Sequence, residues 1–282
     1  MAIHPVVTIT YYALLLVLTA VLFNPWTALT CVAIQLSVLV IEKGVGAVRR
    51  PLCYTALLTV LFALMNGFLN HRGNTPLLFV NEIPVTLEAL LRGALAGMLT
   101  AALALIFQSG ACFIDNGKLL YVIGRISPTA ALLVCMTLRF IPYYGRQLRQ
   151  LKETQQALGY NTGRAAVKLF WAMLSENLES AIETQLSMQY RGYGSGPAGK
   201  RRGGRYRFTG SDAGKMLLIL LLAAGITALI WTGIYDFQFF PYLKGQSGLP
   251  WGVVLYGLFS ILPIICRLEE KIAWKIYTGS KT

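Results

Sequence analysis

Apolar runs long enough to need a bilayer recur along this chain. A membrane's hydrocarbon core takes about 20 mostly apolar residues per helix, and six runs meet or approach that length: Val7 to Phe23, Thr27 to Ile41, Leu52 to Leu69, Leu87 to Phe107, Met216 to Tyr235 and Trp251 to Cys266. With 55% hydrophobic and only 13% charged residues in 282, one or two water-soluble domains are excluded. The expected class is all-α: a polytopic membrane protein of about six transmembrane helices. Asn24-Pro25-Trp26 separates the first two runs as a tight turn with an interfacial aromatic. The second run is short, so the first pair could also form one hairpin that crosses imperfectly. The segment Met1 to Thr10 lacks the basic start of a cleaved signal peptide, so the first run reads as a retained span.

Lysine and arginine outnumber aspartate and glutamate 25 to 12, and their placement sets an expected orientation. Lys43, Arg49 and Arg50 follow the second run, the segment from Arg125 to Lys215 carries fourteen basic residues, and Arg267, Lys271, Lys275 and Lys281 close the chain. The remaining loops, Asn70 to Val85 and Asp236 to Pro250, hold only Arg72 and Lys244. Positive-inside bias places the first set in the cytoplasm. Six spans with both termini cytoplasmic satisfy every loop. Three segments follow: 1–126 with four spans, 127–213 with a cytoplasmic helical region and a basic connector, and 214–282 with two spans and a tail.

The region from Ser127 to Gly192 differs from the spans. Ser127-Pro128 has the cap and first-position proline of a helix start. That helix begins apolar and turns polar beyond Pro142, which should kink it, and it ends at Ala157-Leu158-Gly159-Tyr160. A second helix starts near Arg164 and ends at Tyr190-Arg191-Gly192-Tyr193. Each end pairs a tyrosine with a glycine that can adopt the left-handed conformation. Val167, Trp171, Leu174, Leu178, Ile182 and Leu186 form an apolar stripe at helical spacing, with Glu176, Glu179 and Glu183 among the polar residues between them. The stripe could pack on a partner or lie on a membrane, and the three carboxylates disfavour anionic lipid.

Other features are structural. Gly93, Gly97 and Ala101 make a small-residue step that admits a neighbouring helix. Glu88 and Arg92 stand one turn apart at the edge of the fourth run, where such a pair can interact and reach the interface. The five cysteines are scattered without a close pair, and no metal-ligand cluster can be built from sequence neighbours. The Gly- and Arg-rich stretch from Gly192 to Gly214 fits anionic headgroups better than RNA, because no aromatic platform accompanies it. Gly194 to Arg201 imitates a P-loop but lacks the serine or threonine for magnesium and follows a helix. No nucleophile–base, paired-carboxylate or dinucleotide signature appears, so no catalysis and no cofactor are expected.

Arg139-Phe140-Ile141-Pro142, the polar helix, the glycine stop, the amphipathic helix and Gln189-Tyr190-Arg191-Gly192-Tyr193 occur in an order that resembles the transmembrane T component of energy-coupling factor (ECF) transporters. His4-Pro5 and Asn70-His71-Arg72-Gly73 are similar to that family too. The resemblance covers nearly the whole chain. It implies a non-catalytic scaffold in a bacterial or archaeal cell membrane. That scaffold would join two ABC-type ATPases to a substrate-binding membrane subunit, the S component, for uptake of a vitamin or transition-metal ion, with no nucleic acid involved. It also implies that two long cytoplasmic coupling helices dock into the ATPases through Ala-Arg-Gly-type tips. Here those tips are Ala157-Leu158-Gly159, with leucine in place of arginine, and Tyr190-Arg191-Gly192, with tyrosine in place of alanine. The arginine role therefore falls on Arg191 alone, whose guanidinium could grip an acidic side chain at two points. Two alternatives stand beside this one: a stand-alone permease, and a membrane-anchored protein whose basic loop binds RNA or anionic lipid.

Overall fold

The structure is a computed structural model that describes residues 4–70, 75–80, 83–157, 159, 163–193, 206, 208–232 and 251–279; for 76–80, 83–85, 155, 163–166, 169 and 266–279 only the backbone path is described. Nine α-helices carry these residues: α1 (Pro5–Val21), α2 (Pro25–Lys43), α3 (Arg49–Leu69), α4 (Leu87–Phe113), α5 (Asn116–Ile126), α6 (Pro128–Ala157), α7 (Gly163–Tyr190), α8 (Gly210–Trp231) and α9 (Trp251–Gly279). A short 3₁₀ turn, Val45–Val48, joins α2 to α3. One departure from an all-helical chain lies in the connection between α3 and α4. There Pro76–Val80 (β1) and Ile83–Thr86 (β2) pair antiparallel, with an irregularity between Pro76 and Leu78. Segments this short, with Pro76 and Pro84 inside them, carry little strand signal, so the sequence reads here only as a loop.

Among the described residues four helical segments are long and apolar enough to cross a membrane: Pro25–Lys43, Val45–Leu69, Leu87–Phe113 and Gly210–Trp231. Pro5–Val21 and Trp251–Ile265 are apolar but shorter. The chain is thus a helical protein compatible with embedding in a bilayer.

The chain divides into two units, residues 1–115 with 206–282, and residues 116–205. The segment 127–213 read from the sequence overlaps the second unit without sharing either end. The first unit is built around α1. Val7, Tyr11, Tyr12, Leu15 and Leu18 project from α1 into a core completed by Cys31 and Val38 of α2, Ala102 and Ile106 of α4, Ile226 of α8, and Tyr256 and Phe259 of α9. His4 and Asn24 cap α1 and α2 by accepting from the N–H groups of Val6 (3.3 Å) and Trp26 (3.0 Å), each with a proline at the first helical position.

Contacts fix the helix directions within this unit. Tyr11 Oη donates to the carbonyl of Phe259 or Ser260, each at 3.2 Å, and Thr19 Oγ1 lies 2.7 Å from Tyr256 Oη, so α1 and α9 run antiparallel. Tyr12 lies against Gly110 near the end of α4, and Ser109 of α4 donates to Gln35 of α2 at 2.6 Å. His4 meets Phe208 edge-on at 5.1 Å, which sets the starts of α1 and α8 side by side. The four helices α1 to α4 alternate in direction, and α8 and α9 continue the alternation. The chain leaves this unit after α4 and re-enters before α8 at the end of the bundle that carries His4.

The α3–α4 contact depends on the glycine step. A Cβ on Gly93 would lie 2.5 Å from the Phe62 carbonyl oxygen and 2.6 Å from Asn66 Cβ; one on Gly97 would lie 2.7 Å from both the Leu58 carbonyl oxygen and Thr59 Cα. Backbones this close tolerate no side chain between them. The opposite face of α3 exposes Leu57, Val60, Leu61, Leu64 and Phe68, a patch that would be a liability in water and suits lipid.

Candidate functional site

The α6–α7 region of the second unit carries the site residues expected from the sequence. Ser127 caps α6: its Oγ accepts from the Ala130 N–H at 3.4 Å, and its carbonyl accepts from Ala131 at 3.1 Å. The helix continues through Pro142 to Ala157 as one element.

Both helices stop on left-handed glycines, Gly159 at φ 78° and Gly192 at φ 77°. At the end of α7 the Gly192 N–H reaches the Gln189 carbonyl at 2.9 Å and the Tyr193 N–H reaches the Met188 carbonyl at 3.1 Å. This paired pattern is the Schellman stop, which satisfies carbonyls that the helix end leaves open. Arg191 is its capping residue, its N–H held by Ser187 at 3.2 Å, and its side chain is exposed beside Tyr190, which is 88% accessible. At the end of α6 the Gly159 N–H reaches the Gln156 carbonyl at 3.1 Å, and Ala157 is exposed. Leu158 lies outside the described residues, as do Gly194 to Arg201 and most of the basic connector.

The six-residue stripe is open. Val167, Trp171, Leu174, Leu178, Ile182 and Leu186 are all exposed, Trp171 at 62% and Leu174, the least, at 38%. A different line is half-buried instead: Met173, Asn177, Ser180, Thr184 and Met188. At about 100° per residue this line sits roughly 130° round α7 from the stripe. Its counterpart on α6 is Leu132, Met136, Phe140, Tyr144, Gln147 and Leu151, which are half-buried at steps of four and three. Where α6 and α7 meet, Met136 and Phe140 of α6 line a cavity of about 400 Å³ with Ala181, Thr184, Met188 and Tyr193. Tyr193 and Met188 are also the two residues whose apolar contact usually accompanies a Schellman stop. Sequence reasoning missed this inner line because it mixes Met with Asn, Ser and Thr, so no apolar periodicity marks it.

Several polar groups are buried in the first unit. Thr19, Gln35 and Ser109 are uncharged and make the cross-helix bonds described above. The buried carboxylates lie in first turns: Glu88 of α4 accepts the Thr75 hydroxyl at 2.8 Å, and Asp212 of α8 completes a capping box with Thr209. Negative charge is favourable at both places. Among the described residues no group of three or more His, Cys, Asp or Glu side chains could hold a metal ion, and Cys31, Cys53, Cys112 and Cys135 are free thiols.

No protein-family model matches the chain, and no curated protein matches it.

Proposed function

We propose that the chain is the transmembrane scaffold of an ECF-type importer, linking two ABC-type ATPases to a separate substrate-binding membrane subunit for uptake of a vitamin or a transition-metal ion. One observation carries this reading. Two long helices each end on a left-handed glycine, one of them presents Arg191 and Tyr190 outward, and the apolar stripe of α7 is exposed among the described residues. The resemblance in motif order supplies the family. The alternation of helix directions supports six spans with both termini in the cytoplasm of a bacterial or archaeal cell membrane.

In this mechanism ATP binding draws the two ATPases together, and α6 and α7, seated in them by Ala157-Leu158-Gly159 and Tyr190-Arg191-Gly192, are displaced as levers. The stripe from Val167 to Leu186 passes that motion to the substrate subunit. Closure of the motors biases the equilibrium only through contacts that differ between the two states. The chain itself performs no chemistry; hydrolysis belongs to its partners. Arg191 provides a forked, always-charged contact for an acidic groove, while the apolar Leu158 would contact the other ATPase differently, so the two docking points are unequal.

The test is purification of the tagged protein from its native membranes in mild detergent, with partners identified by mass spectrometry. Two ABC-type ATPase subunits and a small membrane protein are expected, and Arg191→Glu should lose the ATPases while inserting normally. Recovery of the wild-type protein with no ATPase would refute the proposal.

A further inference from the structure

Two polar side chains stand open inside the first unit. Gln35 of α2 and Ser260 of α9 are both 0% accessible. Gln35 Oε1 accepts the Ser109 hydroxyl at 2.6 Å, but among the described residues its Nε2 has no hydrogen-bond partner, and neither has Ser260 Oγ. Turning the amide round would exchange the two Gln35 atoms and still leave one of them open. The helix directions bring the two residues to one level. Helices α1 and α2 alternate and α1 is antiparallel to α9, so α2 and α9 are parallel. Cys31 of α2 lies beside Tyr256 of α9. Gln35 and Ser260 each follow four residues later, about 6 Å further along and on the same face of their helices. A third polar group belongs to this turn of α9. Pro263, buried within the helix, has no N–H to offer the carbonyl four residues earlier, which releases the Phe259 carbonyl from the helix ladder. Tyr11 Oη lies 3.2 Å from it and equally far from the Ser260 carbonyl, so one proton serves two acceptors, and each carbonyl oxygen has two lone pairs.

We infer that an ordered water molecule bridges α2 and α9 at this level, accepting from Gln35 Nε2 and bonding Ser260 Oγ, with the Phe259 carbonyl as its third partner. The donor set selects water over other occupants. An amide N–H only donates, a carbonyl only accepts and a hydroxyl does both, so the occupant must give and take hydrogen bonds at once. A cation would be repelled by the amide N–H and an anion by the carbonyl. Buried waters make about three bonds of this kind to groups otherwise unsatisfied, and an apolar interior penalises every polar group left open. The water would tie α2 to the proline break of α9 and complete a polar layer from Ser109 through Gln35 to Tyr11 in a largely apolar bundle. The inference concerns the first unit alone and not the transporter assignment, so either can fail alone.

The test uses the full chain in lipid nanodiscs and X-ray hydroxyl-radical footprinting read by mass spectrometry. Radiolysis splits a bound water in place, so side chains next to an internal water are oxidised even where radicals from bulk solvent do not reach. Tyr256 and Phe259, both 0% accessible, are the reporters, and both should be oxidised in the wild type. Ser260→Ala removes a hydroxyl that has no other partner among the described residues and leaves Gln35, Ser109 and both reporters in place. It should lower their oxidation about fivefold, the occupancy lost with one ordinary hydrogen bond. Gln35→Leu should produce a fall of the same direction from the opposite helix. A variant that failed to fold would open the core and raise the oxidation, so misfolding does not imitate the expected result. Reporters left unoxidised in the wild type, or oxidised equally in all three proteins, would overturn the inference. A fall in Ser260→Ala with none in Gln35→Leu would overturn the bridge between the helices.

Discussion

The closest approach in the first unit makes a sharp prediction about glycine. In an ordinary helix Gly→Ala is favourable by about 1 kcal/mol, because alanine loses less backbone freedom. At Gly257 of α9 an added Cβ meets nothing within 4 Å, so Gly257→Ala should stabilise by that amount. At Gly93 the same methyl would lie 2.5 Å from the Phe62 carbonyl oxygen, about 0.9 Å inside the shortest comfortable contact, and overpacking of this kind costs roughly 1 to 3 kcal/mol. Because the obstacle is backbone, no rotamer change relieves it. The net for Gly93→Ala is therefore about 0 to 2 kcal/mol of destabilisation. Gly97→Ala meets the Leu58 carbonyl at 2.7 Å and should behave alike. Both sites press on Phe62, so the double variant should be less than additive, since one outward shift of α3 relieves both. The assay is thermal unfolding in one nonionic detergent, comparing Gly93→Ala, Gly97→Ala and the pair with Gly257→Ala. A Gly93→Ala/Gly97→Ala protein that gains stability as Gly257→Ala does would refute the close approach of α3 and α4.

Three further outcomes are expected. Gly192→Ala should cost about 1 kcal/mol, since a left-handed alanine is strained; hydrogen exchange at Gly192 and Tyr193 should then quicken about fivefold, and unchanged protection would show that the stop does not need glycine. A double-mutant cycle of Thr19→Val and Tyr256→Phe should return a coupling of about 0.6 kcal/mol, the usual size for a hydrogen bond between membrane helices; zero coupling would mean that the two hydroxyls do not hold α1 to α9. Trp171→Ser with Leu178→Ser should leave the unfolding midpoint of the isolated protein within about 0.5 kcal/mol, as for exposed residues generally, while abolishing recovery of its partners; a loss as large as a core truncation would show the stripe already packed.

What could be read from the sequence was whatever is encoded locally. Ser127-Pro128, Gly159 and Gly192 mark helix ends by their own backbone chemistry, and the observed α6 and α7 coincide with those marks. Gly93 and Gly97 announced a close contact, and the structure adds that the partner is α3, through Leu58 to Asn66. Features that depend on distant partners stayed hidden. Gln35 and Ser109 are 74 positions apart, and neither residue alone suggests a cross-helix bond. Helix α5 begins at Asn116, past the end of the fourth apolar run at Phe107, and its eleven residues are too few for a helical period to stand out. The inner face of α7 was missed for another reason. Two stripes of helical period coexist on α7, and apolarity selected the one that its own chain leaves open.

That last point bears on what covers α7. Helix α3 also exposes an apolar face, Leu57 to Phe68, yet the two surfaces ask for different neighbours. On α3 the face is continuous and carries no charge between Leu52 and Leu69, so hydrocarbon can meet all of it. On α7 the stripe is narrow, and glutamates at 176, 179 and 183 flank it within one turn. Sinking that stripe into lipid would carry carboxylates towards anionic headgroups, a penalty that grows with depth, whereas leaving it in water exposes Trp171, Leu178 and Ile182 together. A protein groove with an apolar floor and basic or hydrogen-bonding walls avoids both costs. The surface chemistry of α7 thus fits the proposed protein partner better than it fits lipid.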